Sequence, residues 1–198
     1  MTKNPTANGA GAMAIAGVQH GEMGESRISR WLFNRTESSW IWLILRLYLG
    51  YEWFSAALGD KLESPTWRSG AGLAGFLHGA LAKAGGSNPS VQGWYASFLR
   101  GVILPNAAFW AWVVAFGELL VGIALIVGIF TGLAAFFGGF MNFNYLMAGT
   151  VSLNPLLFVI ATWLVVAWKV GGWYGLDRWV LPSLGTPWHP GEAFHHPS

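Results

Sequence analysis

Four apolar stretches, each near 20 residues long, leave a chain of 198 residues few folds to choose from. They are "WIWLILRLYLGYEWFSAALG" (40–59), a run over 107–129 that includes "FWAWVVAFGELLVGIALIVG", then "TGLAAFFGGFMNFNYLMAGT" (131–150), and a run over 155–174 that starts "PLLFVIATWLVVAWKV". About 20 such residues, at a rise of roughly 1.5 Å each, match the hydrocarbon core of a bilayer. Within that core every backbone N–H and C=O must be paired inside the segment, so each run reads as a helix. Pro155 suits the first turn of the fourth run, with Asn154 as its cap. The connections at 130–131 and 150–154 are so short that runs two, three and four must lie as antiparallel neighbours.

Composition agrees. Hydrophobic residues make up 54% of the chain and charged residues only 10%, against about 25% charged in soluble domains. The expectation is an all-α integral membrane protein, a bundle of four transmembrane helices over 39–182, with tails at 1–38 and 183–198. The first 30 or so residues are rich in Ala, Gly and Asn and read as disordered, followed by "ISRWLFNR" lying along the membrane surface. The long connection between the first two runs predicts two short helices, 72–85 and 91–104, separated by the breaker cluster "GGSNPS" and capping one end of the bundle. With four spans both termini share a side, which carries Lys3, Arg27, Arg30, Arg35, Lys169 and Arg178, against Lys61, Arg68, Lys83 and Arg100 in the long loop. That bias favours cytoplasmic termini in the plasma or inner membrane.

Absences in the sequence exclude several chemistries. With no cysteine there is no disulfide, thiolate zinc site, iron–sulfur cluster or covalently attached haem in this chain. None of the five histidines lies within a long apolar run, so no intramembrane histidine is available to a b-type haem, and no metal site is expected. The histidines of "HPGEAFHHP" read as a solvated tail, and a net charge of +2 argues for no nucleic-acid partner.

The charges inside the apolar runs carry the functional information. Glu118 stands near the middle of the second run, where an ionised carboxylate costs roughly 2.5–3.5 kcal/mol on the insertion scale. Arg46, roughly 9 Å into the bilayer, and Glu118, about 13 Å from the same boundary, lie at comparable depth, so a bidentate pair between them is the expected compensation. Glu52 points to a different face from Arg46 and needs another partner: Tyr51, Asn142, Asn144, Lys61 reaching down from the loop, or a proton. Asn142 and Asn144 put amides near the midplane, either as interhelical hydrogen bonds or as ligand contacts. Trp53 and Trp163 lie deep, where bundle packing competes with quinone stacking, whereas Trp110, Trp112, Trp168 and Trp173 fit interfacial belts. The glycines at 117, 122, 128, 138 and 139 read as points of close helix packing. A buried ion pair can be purely architectural; three ionisable groups and two amides at similar depth favour a polar cavity with a function.

The segments "LRLYLGYEWFSAALGDKL", "GWYASFLRGVILPNAAFWAW", "GELLVGIALIVG", "NFNYLMAG" and "GGWYGLDRWVLP", in that order, resemble the DoxX/DoxD family of small four-span membrane proteins. The resemblance implies a membrane subunit of a quinone-linked oxidoreductase, as in thiosulfate:quinone oxidoreductase, where DoxD works with a DoxA partner and a membrane quinone accepts the electrons. It carries over Arg46, Glu118 and the Asn142/Asn144 segment as site candidates; together with the reading of the buried residues this makes Arg46, Glu52 and Glu118 the candidate catalytic residues, and Asn142, Asn144, Lys61 and Trp53 the candidate contacts to quinone or substrate. Lipid, quinone and further subunits, DoxA-like or other copies of this chain, are the implied partners. The competing reading is a non-catalytic anchor or assembly subunit whose 60–106 loop docks another protein; a small transporter is the third, without the repeats and broken helices that transporters use.

Overall fold

The computed structural model describes residues 25–185, and every regular element among them is helical. Helix α1 (Arg27–Asn34) starts where Ser26 accepts a hydrogen bond from Ser29 N at 3.1 Å. It turns Leu32 and Phe33 onto the core and leaves Ile28 and Trp31 exposed. The Trp42 indole donates to Leu32 O at 2.8 Å and ties α1 to α2 (Ser39–Ser55). Helix α2 does not end at Ser55 but widens into a π-helical segment, Ala56–Leu62. Short helices α3 (Pro65–Arg68), α4 (Ala71–Ala82) and α5 (Gly93–Phe98) follow, then the long helices α6 (Ala107–Val127), α7 (Thr131–Met147) and α8 (Asn154–Val166). Two short helices, α9 (Trp168–Gly171) and α10 (Asp177–Ser183), close the described chain.

Helices α2, α6, α7 and α8 pack as an antiparallel bundle, with α2 against α6 and α7 against α8 as the most extensive contacts. Its interior is built from Trp42, Leu49, Trp53, Leu125 and Leu164 interlocked with alanines and glycines. A second core, with Leu73, Leu77, Val91, Tyr95 and Leu99, seats α4 and α5 on the end of α6. The outward faces are as apolar as the interior: Ile44, Leu120, Phe136, Phe140 and Val159 are all exposed. A belt of this kind suits lipid rather than water as its solvent.

Contacts at three glycines fix the stagger of α2 against α6. Gly50 lies against Leu125 and Ile126, Gly122 against Phe54, and Gly128 against Arg46. The start of α2 therefore runs past the end of α6, and its first turns pack on the α9 segment instead. A Cβ on Gly122 would stand 2.7 Å from the backbone nitrogen of Phe54. Gly122→Ala is expected to cost about 1–3 kcal/mol by overpacking, seen as a lower melting temperature of the detergent-solubilised protein. Gly79→Ala on α4, where nothing lies within 4 Å of the added carbon, is the neutral-to-stabilising control.

Several expectations need correction. The second loop helix is not separate: from Gly93 the chain runs through a π-helical turn (Leu99–Ile103) and a 3₁₀ turn into α6, one continuous helix to Val127. At 35 residues it is the one helix among those described that is long and apolar enough to cross a membrane by length and composition. The fourth run breaks at Ala167, so α8 has 13 residues and not the 20 of 155–174. Asn154 is its first helical residue and donates to Thr150 O at 3.3 Å instead of capping. Trp163 is exposed, stacked on Phe33, and not buried in the bundle. The expectation of disorder over residues 1–24 and the histidine tail lie outside the described residues.

Candidate functional site

The π-helical segment decides where the buried charges meet. A wider turn rotates the side chains after it relative to a continued α-helix, and such turns occur often at functional sites. Here it brings Lys61 inward, into a buried position with its ammonium 5.0 Å from the centre of the Trp67 ring. The stagger of α2 against α6 sets Glu118 opposite this segment, and Lys61 Nζ stands 2.7 Å from Glu118 Oε2. On the other side the Tyr145 hydroxyl, from α7, donates to Glu118 Oε1 at 2.6 Å. The carboxylate is fully enclosed, at 0% exposure. Its cost is met by an ammonium and a phenol together, in the short charge-assisted geometry that is strong in a dry setting.

Tyr145 also lines a cavity of about 520 Å³. The walls are α4 and α5 above and the facing sides of α6 and α7, with Phe76, Tyr95, Phe98, Trp110, Gly117 and Met141 among them. Leu120 and Phe140, at 66% and 56% exposure, belong to the same lining, so the cavity opens sideways between α6 and α7. Its polar lining consists of Tyr95, Asn144 and Tyr145. The Tyr95 hydroxyl is within 3.1 Å of both oxygens of Asn144, and Asn144 Nδ2 donates to Phe140 O at 2.8 Å. Tyr145 is held by Trp53, stacked at 6.4 Å between ring centres, and by the edge-on ring of Phe76 at 5.9 Å.

The expected Arg46–Glu118 pair does not form. Arg46 lies opposite Gly128, just past the end of α6 and about 15 Å along that helix from Glu118. Depth counted from the ends of two runs assumes that the runs end level, and these do not. Arg46 is buried at 1% exposure, its Nη2 donates to Tyr174 O at 3.1 Å, and the negative charge of Asp177 favours it without a direct ion pair among the described residues. Asp177 in turn accepts from Phe130 N and, at 2.9 Å, from Thr131 N, at the start of α7 where a helix favours an anion. A side chain on Gly128 would collide with Arg46 Nη1, and one on Gly172 with the Asp177 carboxylate. This is a knot that ties the chain after α9 to the α6–α7 turn.

The remaining candidates divide. Asn144 and Lys61 belong to the cavity and its charged support; Trp53 supports Tyr145 from behind. Asn142 is fully buried with both amide atoms unbonded, and it does not line the cavity. Glu52 is half-buried, and its side chain makes no hydrogen bond or ion pair among the described residues; Lys61, one of its expected partners, is taken by Glu118. Sequence reasoning missed Tyr145 and Asp177. A phenol one turn beyond Asn142 in an apolar run was the available signal for the first, and an acid on the same side of the bundle as Arg46 for the second.

An apolar-coated helical bundle with a charged, phenol-linked centre beside a lateral cavity has the build of a membrane protein. The chain belongs to the DoxX family, whose sequence model matches residues 41–149. That range takes in Arg46, Lys61, Glu118 and Tyr145 but stops short of Asp177. No curated protein and no solved structure matches the chain.

Proposed function

We propose that this DoxX protein is the quinone-binding membrane subunit of an oxidoreductase, taking the quinone head group into the cavity beside Tyr145. The observation that carries this reading is the cavity itself. It has the volume and the mostly apolar lining with few polar groups typical of small-molecule sites, it opens towards lipid, and its phenol is backed by a buried carboxylate. Aromatic rings suit a flat quinone ring, the gap between α6 and α7 suits an isoprenoid tail, and the Tyr145 hydroxyl, turned from Glu118 to the ligand, suits a carbonyl oxygen. Helices α2, α6, α7 and α8 with α9 are read as four crossings of the plasma or inner membrane, with cytoplasmic termini. The electron donor is a reduced sulfur compound such as thiosulfate, reached through a partner subunit, DoxA-like or another. Two thiosulfate anions joined as one tetrathionate release the two electrons that, with two protons, reduce one quinone to quinol.

Decylubiquinone tests the site directly, because Trp110 in the cavity wall reports occupancy by fluorescence quenching. Saturable quenching is expected in the full-length protein. Tyr145→Phe is expected to weaken it about 3–10-fold, the worth of one hydrogen bond. Gly117→Leu, whose side chain grows into the cavity, is expected to abolish it. Quenching that survives Gly117→Leu unchanged sinks the assignment and leaves the anchor reading in possession of the fold.

A further inference from the structure

We propose that Tyr145, Glu118 and Lys61 form a proton path from the cavity to the water at the capping-helix end of the bundle. This rests on the quinone reading above and adds to it the route and the order of the groups. Three facts on the geometry carry it. The contacts are continuous, 2.6 Å from phenol to carboxylate and 2.7 Å from carboxylate to ammonium. Each end has its own outlet: Tyr145 lines the cavity, and the Lys61 side chain keeps 9% of its surface exposed, with exposed Asp60 and Glu63 beside it in the chain. The other direction is closed, because below Glu118 the bundle is filled by Leu49, Leu125 and Ala135, all at 0% exposure, and beyond them by the Arg46 cation. A fixed buried cation of this kind repels protons in pores.

Reduction of one quinone consumes two electrons, here from the reduced sulfur donor, and two protons, one for each carbonyl oxygen. Tyr145 turns its O–H from Glu118 Oε1 to the carbonyl oxygen against it and gives up that proton, the new O–H bond on the quinone oxygen forming as the phenolic one breaks. Glu118 then returns a proton to the tyrosinate, having taken one from Lys61. Lys61, left as a neutral amine, takes a proton from water at the Asp60–Glu63 turn, and the chain is restored to its starting state for the second proton. Other groups facing Glu118 do not compete: Asp60 acts on it only through its charge, and Trp67 donates its indole N–H to Ala111 O at 2.9 Å.

Lys61→Arg separates a path from a mere ion pair. Arginine keeps the positive charge beside Glu118 but does not give up its proton. The experiment follows a single turnover of decylubiquinone bound to excess full-length protein in detergent, reduced by dithionite, in H₂O and D₂O. Quinol formation in Lys61→Arg is expected to fall roughly tenfold or more, with a larger solvent isotope effect and unchanged decylubiquinone affinity; Tyr145→Phe is expected to slow it further, towards a hundredfold. Wild-type rates and isotope effects in Lys61→Arg overturn the path while leaving the cavity reading intact. Absence of decylubiquinone binding to the wild-type protein overturns both.

Discussion

Replacing Glu118 by alanine is expected to destabilise the protein by about 3–5 kcal/mol, the cost of leaving one partner of a buried ion pair uncompensated. The residue left behind is Lys61, whose side chain is 9% exposed and has no other acceptor in reach among the described hydrogen bonds. The Tyr145 hydroxyl loses its acceptor in the same step. Lys61→Met alone is expected to be comparably harmful, since it strands the carboxylate in a fully enclosed position. The double variant Lys61→Met/Glu118→Leu removes both charges and fills their space with apolar atoms, so it is expected to recover most of the loss. Melting of the full-length protein in detergent measures all three. Single-variant costs that simply add in the double variant contradict a mutually dependent pair. The prediction also separates two roles of one residue: the double variant regains stability yet, lacking the relay, does not regain fast quinone reduction.

The fold was legible in the sequence wherever one helix decided the matter by itself. Apolar run length and two very short connections are local properties, and helices α2, α6 and α7, the start of α8 and the hairpin order among them follow these, though α8 ends short of the run. The amphipathic α1 and the break at 85–90 are local too. What escaped was relative: how far one helix slides past another. Three glycine contacts set that slide, and no count of residues from an apolar boundary contains it. The sequence offers Lys61 as a side chain reaching down from a loop, but its approach to Glu118 depends on a π-helical turn at Ala56–Leu62. That turn has no composition signal in "AALGDKL", since its wide hydrogen bonding is imposed by packing. The fused α5–α6 helix escaped for a related reason: Pro105 reads as a boundary, yet it sits in a single 3₁₀ turn that the helix passes through. Buried charge in apolar runs thus singles out Glu118 and Arg46 as groups in need of partners, and only coordinates show which partners they have.

Asp177→Ala is expected to be the other large effect, again about 3–5 kcal/mol, but with no rescue from removing its counter-charge. Asp177 is fully buried and performs two tasks at once. Its charge favours the Arg46 guanidinium without a direct ion pair, and it accepts the backbone N–H groups of Phe130 and Thr131. Phe130 is held at φ 47, a left-handed conformation that costs of order 1–3 kcal/mol in a non-glycine residue and persists only where neighbours enforce it. Without the carboxylate the turn between α6 and α7 loses that enforcement, and two backbone donors lose their acceptor, the buried one at Thr131 at about 1–3 kcal/mol and the part-buried one at Phe130 at less. Arg46→Met/Asp177→Leu therefore remains destabilised, unlike the Lys61–Glu118 double variant, because no apolar side chain can accept from Phe130 and Thr131. Asp177→Asn, which keeps an accepting oxygen, is expected to fall between wild type and alanine. The knot lies about 15 Å along α6 from Glu118, so decylubiquinone quenching of Trp110 is expected to persist in Asp177→Asn at temperatures where the protein is still folded. Proteolysis that releases the segment from Gly172 onward in Asp177→Ala, and not in wild type, identifies the end of the bundle that has come loose; a variant that melts like wild type shows that the carboxylate fastens nothing.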